Sequence, residues 1–212
     1  MNDKKIIDIT LPIKNSMSGV SIEPARTISK DGWNATTLNL YSHSGTHMDA
    51  PIHFGVNTQT IDTIPVNRLI SSAWKVNVTA IKPKELITIK HLETIADKIS
   101  PGDSILLQTG WSKKIESQEY RNALPRISKE LALWLGEKKV NIIGVEPPSV
   151  ADVNNIEEVT EIHNILMKND IIIIEGLTNL EALSSSKFTL VALPIKVEGG
   201  DGAPARVIAI EE

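Results

Sequence analysis

The chain contains 212 residues, of which 41% are hydrophobic and 23% charged, a composition ordinary for one globular domain spanning residues 1–212. It has no cysteine, which excludes disulfides and thiolate chemistry and leaves nitrogen and oxygen atoms as the ligands of any bound metal. The 22 basic and 26 acidic residues give a formal net charge of -4 without a dense run of lysine and arginine, which argues against nucleic acid as a partner.

The N-terminal segment predicts neither a signal peptide nor a membrane anchor. It becomes polar at Thr10 and Pro12, before the apolar core of a signal peptide could form. The apolar runs of the chain, such as Ile171–Ile174, are far too short to span a bilayer. We therefore predict a cytoplasmic protein without a membrane partner.

In chain order, short β-type runs alternate with helical stretches. Apolar and polar residues alternate over Thr36–Ser42, which predicts a strand with one face near solvent. Further strands are predicted at Ala73–Ile81, Ser104–Gly110, Val140–Glu146, Asp170–Leu177 and Phe188–Ile195. Apolar residues spaced by three and four predict amphipathic helices at Ile87–Ile99, Ser128–Lys139 with Ser128 as N-cap, and Glu157–Asp170. This pattern predicts an α/β fold, a single domain with a mixed β-sheet core flanked by helices.

Three of the five histidines and one aspartate fall within residues 43–53. Gly45 and Pro51 argue against a continuous helix there, so we predict a strand end that runs into a loop. Two imidazoles and a carboxylate, from His43, His47 and Asp49, form an acceptable ligand set for zinc, manganese or iron. The spacing is not the zincin helix motif, because Ser44 follows the first histidine where that motif has glutamate. We interpret Ser44 itself as a loop hydrogen-bonding residue.

Two more polar residues occupy apolar surroundings. His163 belongs to the third predicted helix, and Glu175 directly follows the apolar run Ile171–Ile174. A carboxylate at the end of a buried strand is rarely found unless it is paired or bound to a metal, so both residues are candidates for the same site. His91, between Lys90 and Glu93 in the first predicted helix, is interpreted as solvated.

These residues leave three functional classes open. Metal-activated water with His53 as general acid and base predicts hydrolysis of an amide, lactam or ester. The set His43, His47 and Asp49 would also suit iron(II) in a non-heme oxygenase. A non-catalytic metal-binding protein is the third class, although a structural site needs no proton carrier such as His53.

Four segments carry a resemblance to a known family. They are His43–Phe54, Gly144–Val150, His163–Leu180 and Leu193–Ile208. They resemble the cyclase superfamily of metal-dependent hydrolases, which includes bacterial kynurenine formamidase and isatin hydrolase. The resemblance implies a swivelling β/β/α-type domain whose first strand begins in Asp8–Ile13. It also implies cleavage of a C–N bond in a small amide or lactam.

The resemblance further implies a role for each candidate residue. It makes His43, His47 and Asp49 ligands of one metal, and Asp49, Glu175 and His163 ligands of a second, so that one or two Zn²⁺ or Mn²⁺ ions are expected. His53 would donate and accept protons. The chain departs from the formamidase branch in residues 13–24, which contain no aromatic residue where that branch has a pocket tryptophan.

Two further expectations concern assembly and the C-terminal part. Members of the family are homo-oligomers, usually dimers, and the resemblance therefore implies a homo-oligomer here. We predict that Trp33, within the connection Asp31–Thr37, lies at or near that interface. The glycine-rich stretch Glu198–Pro204 lacks the features of a phosphate-binding loop and predicts a tight turn near the site.

Overall fold

A computed structural model describes residues 4–211. Its strands are β1 Lys5–Asp8, β2 Val20–Arg26, β3 Ala35–Leu40, β4 His47–Asp49, β5 Ile70–Asn77, β6 Leu86–Ile87, β7 Ser104–Gln108, β8 Arg126–Ile127, β9 Ile142–Val145, β10 Ile172–Glu175, β11 Lys187–Pro194 and β12 Gly202–Glu211. Its α-helices are α1 Ile28–Asp31, α2 Glu119–Asn122, α3 Lys129–Glu137 and α4 Ile156–Lys168.

Eight strands form one mixed sheet in the order β1-β12-β11-β5-β7-β9-β10-β4. The strands β5, β7, β9 and β10 run parallel, whereas the other pairs are antiparallel. The first residues of β12 also pair with β4, so seven strands close into a barrel and β1 is added beside β12. The predicted mixed-sheet domain is therefore confirmed, and barrel closure is the feature that the sequence pattern did not reveal.

The apolar run of β10 is covered on both faces, as predicted. Ile172 and Ile174 belong to the core cluster that contains Met48, whereas Ile171 and Ile173 belong to the cluster that packs under α3 and α4. Successive side chains of a strand point to opposite faces, so a strand between two apolar layers needs apolar residues at every position. The polar Glu175 that ends this strand is the exception that requires an explanation.

Each of the two longer helices begins at a residue whose side chain caps its N-terminus. Ser128, the predicted N-cap, accepts a hydrogen bond from the Leu131 N–H at 3.1 Å, and Asn155 caps α4 through the Glu158 N–H at 3.2 Å. Helix α4, with 13 residues, confirms the helix predicted over residues 157–170. Within residues 4–211, no helix has the length and apolar character needed to cross a bilayer.

The helix predicted over residues 87–99 is wrong. Leu86–Ile87 forms β6, which pairs in parallel with β8, and only a short 3₁₀ helix follows at Ile89–Leu92. The β-branched residues of this segment disfavour a helix, and Thr88 instead starts a capped turn. His91 lies in this 3₁₀ helix and is half-buried, and its Nδ1 accepts a hydrogen bond from the Thr88 N–H at 3.0 Å.

The hairpin of β2 and β3 forms a separate two-stranded sheet. The strand predicted around Thr36–Ser42 is present as β3, but no residue of β3 is buried, so both of its faces are more open than the alternation suggested. The reason is that the hairpin does not join the barrel. Trp33, in the connection before β3, is 58% exposed.

Candidate metal centre

The histidine-rich motif lies where the barrel closes. As predicted, no continuous helix runs through it, but His47–Asp49 forms the short strand β4 between β10 and β12. Glu175 is directly opposite His47 in the antiparallel pairing of β4 with β10. Side chains opposite each other in such a pair have Cβ atoms about 4.5–5.5 Å apart. This register explains the carboxylate at the end of β10, because it faces the motif rather than the apolar core.

Helix α4 brings His163 to the same place. The ring of His163 stacks on that of Phe54, with centroids 4.3 Å apart and planes at 22°. Its Nε2 atom lies 3.3 Å from Glu175 Oε1 and 3.7 Å from Asp49 Oδ2. The predicted convergence of His163 and Glu175 is therefore present.

Backbone carbonyl groups fix the tautomers of two of the histidines. The Nδ1–H of His47 donates to the Gly45 carbonyl at 3.0 Å, and that of His163 donates to the Val159 carbonyl at 2.7 Å. A carbonyl oxygen can only accept, so Nδ1 carries a proton in both rings. In the neutral rings the lone pair is consequently on Nε2, which is the arrangement that metal-binding histidines adopt.

Both of these Nε2 atoms face carboxylates. His47 Nε2 is buried and forms no hydrogen bond, although it lies 3.3 Å from Glu175 Oε2 and 3.6 Å from Asp49 Oδ1. A lone pair directed at carboxylate oxygens is unfavourable unless a proton or a cation lies between them. The donor set of imidazole nitrogen and carboxylate oxygen therefore fits a divalent metal such as zinc or manganese.

The charges of the centre support the same fit. The side chains of Asp49 and Glu175 are only 1% and 6% exposed, and within residues 4–211 neither forms an ion pair with lysine or arginine. Burial by itself would raise the pKa of Glu175, but the close imidazoles of His163 and His47 outweigh burial and lower that pKa. Burial likewise would lower the pKa of His47 and of His163, but the two carboxylates outweigh it and raise both. Protonation of the two imidazoles thus offsets the negative charge of the carboxylates, which is the role that a bound cation would take.

All five predicted metal ligands come together in two overlapping groups. One group contains His43, His47 and Asp49, and the other contains Asp49, His163 and Glu175. In each group one ligand atom per residue lies within 4.8 Å of the others. Asp49 belongs to both groups, so the arrangement has donors for one ion or for two.

His43 and His53 share a third carboxylate, that of Asp201. His43 Nδ1 lies 2.9 Å from Asp49 Oδ1 and its Nε2 lies 3.1 Å from Asp201 Oδ2. Burial would lower the pKa of His43, but these two carboxylates outweigh burial and raise it to about 9. The His53 ring stacks on His43 with centroids 3.9 Å apart, and its Nδ1 lies 3.3 Å from Asp201 Oδ2.

The pKa of His53 is shifted in the opposite direction to that of His43, His47 and His163. Burial lowers its pKa, and the neighbouring charges of His43 and His163 act in the same direction, against the opposing charge of Asp49. The 3₁₀ helix Pro51–Phe54 holds it at the edge of the centre, where its side chain remains 25% exposed. A neutral, accessible imidazole beside a candidate metal centre is suited to accepting a proton.

The sequence pattern does not point to Asp201. The stretch Glu198–Pro204 does form a turn beside the centre, as predicted, but that prediction does not extend to the carboxylate of its aspartate. An available signal was the position of Asp201 between two glycines at the start of a strand. Gly202 is needed there because a Cβ atom would lie 2.7 Å from His43 Cε1. The close approach of the ring to the backbone places the Asp201 carboxylate next to it.

Ser44 also differs from expectation. It is 3% exposed and its Oγ has no hydrogen-bond partner within the described chain, so its interpretation as a loop hydrogen-bonding residue is wrong. The neighbouring Thr46 has that function instead. Its Oγ1 accepts from the Leu11 N–H at 2.8 Å and donates to the Gly176 carbonyl at 2.5 Å.

A cavity of about 390 Å³ opens directly onto the centre. His53, His163 and Glu175 contribute to its lining, and Phe54, Val159 and Tyr120 add apolar surface. The segment of residues 13–24, which lacks aromatic residues, contributes Met17 to the wall. The cavity has the size and mixed polarity of a site for a small molecule.

Comparisons with known proteins agree with this architecture. The kynurenine formamidase of Bacillus cereus is 29% identical over 218 residues, covering 98% of each chain. The structure of isatin hydrolase A from Ralstonia solanacearum superposes with a TM-score of 0.89 at 24% identity, covering 99% of this chain and 93% of the other, which shows a shared fold. A structure described as a potential metal-dependent hydrolase with cyclase activity has a TM-score of 0.80 at 25% identity, with 99% and 98% coverage.

The family assignment follows from the sequence match. The model of the Cyclase family, described as "Putative cyclase", matches residues 7–152, which is more than half of the chain and includes the whole histidine-rich motif. The resemblance noted in the sequence is therefore confirmed, and the chain belongs to the Cyclase family.

Proposed function

We propose that this protein is a metal-dependent hydrolase that cleaves the C–N bond of a small amide or lactam. The observation that carries the proposal is the pair of donor groups sharing Asp49, with His53 and a cavity directly beside them. The names of the related proteins, kynurenine formamidase and isatin hydrolase, support an amide or lactam as the substrate class.

In this proposal five side chains hold the metal. His43, His47 and Asp49 would bind one divalent ion, and Asp49, His163 and Glu175 would bind a second. Zn²⁺ and Mn²⁺ both suit these nitrogen and oxygen donors. When bound, such an ion supplies a water whose pKa is lowered from about 15.7 to about 7, and it polarises the substrate carbonyl.

His53 is assigned the proton transfers. Hydrolysis adds water to the carbonyl carbon and breaks the C–N bond, and the departing nitrogen must gain a proton. With its Nδ1 directed at Asp201, His53 keeps Nε2 to take a proton from water and return it to that nitrogen. Asp201 would fix the ring orientation and stabilise the protonated imidazole, as carboxylates beside catalytic histidines do.

A substrate screen tests the proposed reaction. N-formyl aromatic amines, isatin-type lactams and simple cyclic amides are incubated with protein reconstituted with Zn²⁺ or Mn²⁺, and release of amine or acid is measured. Cleavage of at least one class supports the proposal. Oxygen uptake with iron(II) and no hydrolysis would favour the oxygenase class, and binding of metal without any turnover would favour a non-catalytic protein.

We also propose that the protein is a homodimer. The β2–β3 hairpin, including the connection between its strands, carries large apolar side chains that are mostly exposed. Their exposed fractions are 65% for Ile28, 58% for Trp33 and 58% for Leu38. Burial of such side chains against a second copy would remove apolar surface from water. Tyr41 directly follows β3 and lines the cavity, so a partner bound to the hairpin would lie close to the cavity mouth.

Light scattering at micromolar concentration tests the assembly. The intact protein should have the mass of two chains, and Trp33→Asp should shift it toward the mass of one. Ile156→Asp is the matched control, because Ile156 is 75% exposed at the start of α4, outside the hairpin. A wild-type protein that is monomeric and fully active would refute the dimer.

A further inference from the structure

Tyr120 presents an unused hydrogen-bond acceptor at the wall of the cavity. It belongs to α2 and lines the same cavity as His53, His163 and Glu175. Its hydroxyl donates to the Glu146 carbonyl at 3.1 Å. A phenol has one proton, so this bond uses its only donor and leaves the oxygen able to accept. Within residues 4–211, no group donates to that oxygen.

The position of Tyr120 is fixed from two sides. The indole Nε1–H of Trp111 donates to the Tyr120 carbonyl at 3.0 Å. Trp111 lies in a turn that is held by the buried carboxylate of Glu146. This carboxylate accepts hydrogen bonds from the Thr109 N–H at 2.6 Å and from the Ser112 hydroxyl at 3.0 Å. Glu146 therefore positions the phenol directly through its carbonyl and indirectly through its side chain.

The phenol stays neutral at working pH. Burial raises the pKa of Tyr120 well above its usual value, and the charges of Glu175 and Glu146 raise it further. Tyr120 and Glu175 line the same cavity, so the ring and the candidate metal centre border one space. The cavity is thus lined both by a rigid, neutral acceptor and by residues of the proposed reaction centre.

We propose that Tyr120 accepts a hydrogen bond from the N–H of the scissile amide, so that the cavity selects acyclic secondary amides over N-alkylated ones. This inference rests on the proposed hydrolase function. In an acyclic secondary amide the N–H points away from the carbonyl oxygen, so the N–H can donate to the phenol while the carbonyl oxygen faces the centre. An N-methyl group would leave the phenol oxygen unpaired and add bulk against it. Sites that pair a polar group of the substrate reject analogues that lack that group.

The test compares formanilide with N-methylformanilide on the metal-reconstituted protein. Wild-type protein should prefer formanilide in kcat/KM. In Tyr120→Phe, kcat/KM for formanilide should fall about three- to tenfold, the effect of one neutral hydrogen bond, while that for N-methylformanilide should stay the same or rise, because the oxygen that opposes the methyl group is removed. Tyr41→Phe is the matched control, because Tyr41 lines the same cavity and its hydroxyl forms no hydrogen bond with the described residues. In that variant the ratio between the two substrates should equal that of wild type.

Binding measurements separate this inference from the proposed function. Dissociation constants of the same two compounds are measured by titration calorimetry, which requires no turnover. Absence of cleavage together with wild-type preference for formanilide, lost in Tyr120→Phe, would refute only the hydrolase. Equal binding of the two compounds by wild type would overturn the inference. An equal loss for both compounds in Tyr120→Phe, at unchanged metal content, would assign Tyr120 a structural role and also overturn it.

Discussion

The Oδ2 atom of Asp201 lies 3.3 Å from Nδ1 of His53, and the backbone around Asp201 determines this relationship. The Asp201 carbonyl accepts from the Ala50 N–H at 2.9 Å, and the next residue, Gly202, pairs with Asp49 across β4 and β12. Barrel closure therefore carries Asp201 to the motif. Its carboxylate is held where it can orient the one histidine assigned to proton transfer.

Replacing Asp201 by asparagine should impair turnover without emptying the centre. The amide keeps the shape of the side chain but loses the charge that stabilises protonated His53. We expect kcat to fall on the order of 10- to 100-fold, the usual cost of losing such a supporting group, while KM and metal content stay close to wild type. Kinetics and metal analysis by mass spectrometry check this, with the exposed Asp97→Asn as control. Loss of metal from Asp201→Asn would instead make Asp201 a ligand.

Variants of the motif should separate metal binding from proton transfer. His47→Ala and Asp49→Asn should lose metal, because each removes a buried donor of the candidate centre. His53→Ala should retain metal and lose about 10²- to 10⁴-fold in rate, the range ascribed to a general acid or base. Metal content and kcat are measured on the same preparations. If His53→Ala proves to be metal-free, His53 is a ligand and the assigned roles are wrong.

Chelation should abolish hydrolysis reversibly. No cysteine nucleophile exists in the chain, and the motif supplies the groups that can activate water only with a cation present. Dialysis against a chelator should remove activity, and stoichiometric Zn²⁺ or Mn²⁺ should restore it. The readouts are residual metal and initial rate, and the ion that restores the higher rate indicates which metal is used. Full activity in verified metal-free protein would exclude the mechanism.

The parts of the fold that depend on local signals were predictable. Ser128 is an N-cap followed by a helical apolar pattern, and the run Ile171–Ile174 is a doubly covered strand. The helix predicted over residues 87–99 is wrong for a local reason as well. Apolar residues spaced by three and four also occur in a short strand that is followed by a capped turn. Closure of β12 on β4 is a long-range register, and no periodicity within either strand encodes it.

The distinction between local sequence signals and long-range pairing applies to the candidate site as well. The five proposed ligands have local sequence signals, because three of them lie within seven residues and Glu175 directly follows an apolar run. Asp201 reaches the centre only through the pairing of Gly202 with Asp49, which the sequence does not show. Tyr120 belongs to a four-residue helix without apolar periodicity, so its place in the cavity wall had no sequence signal.

Glu146 should make stability depend on pH. It is fully buried, accepts hydrogen bonds from Thr109, Gly110 and Ser112, and within residues 4–211 has no lysine or arginine in an ion pair. Burial raises its pKa, although these donors act in the opposite direction. A raised pKa means that the folded state binds the proton more tightly than the unfolded state. The resulting stability is complete below the unfolded pKa of 4.5 and is lost as pH rises through the folded pKa.

Glu146→Gln should remove this dependence. The amide oxygen can accept from the Thr109 and Gly110 N–H groups, and the amide NH₂ can donate to the Ser112 hydroxyl, so the network survives without ionisation. Relative to wild type, the variant should gain about 1.4 kcal/mol between pH 4 and pH 8 for each unit by which folding raises the pKa. Urea unfolding across that range measures the difference, with the exposed Glu137→Gln as control. A difference that stays constant with pH would contradict the prediction.

Gly176→Ala should loosen both the fold and the candidate metal centre. Gly176 directly follows Glu175 and has φ of +69°, and a Cβ atom there would overlap the Gly45 carbonyl oxygen and lie 3.5 Å from Thr46 Cα. These are backbone atoms of the motif, and the same Gly45 carbonyl holds His47 Nδ1. Relief of the overlap must therefore separate His47 from Glu175. We expect a loss of about 1–3 kcal/mol in unfolding free energy, as for overpacking, together with weaker metal binding.

Gly102→Ala separates this overlap from the cost of the backbone conformation. Gly102 also has a positive φ, +90°, but a Cβ atom there would have no neighbour within 4 Å. Its substitution carries a similar conformational penalty without a clash and away from the motif. Urea unfolding of the metal-free proteins and competition with a chromogenic chelator measure stability and metal affinity. Gly176→Ala should lose more stability than Gly102→Ala and at least tenfold in metal affinity, whereas Gly102→Ala should keep wild-type affinity. Equal losses of stability with unchanged affinity would show that the contact between Gly176 and Gly45 does not hold the centre together.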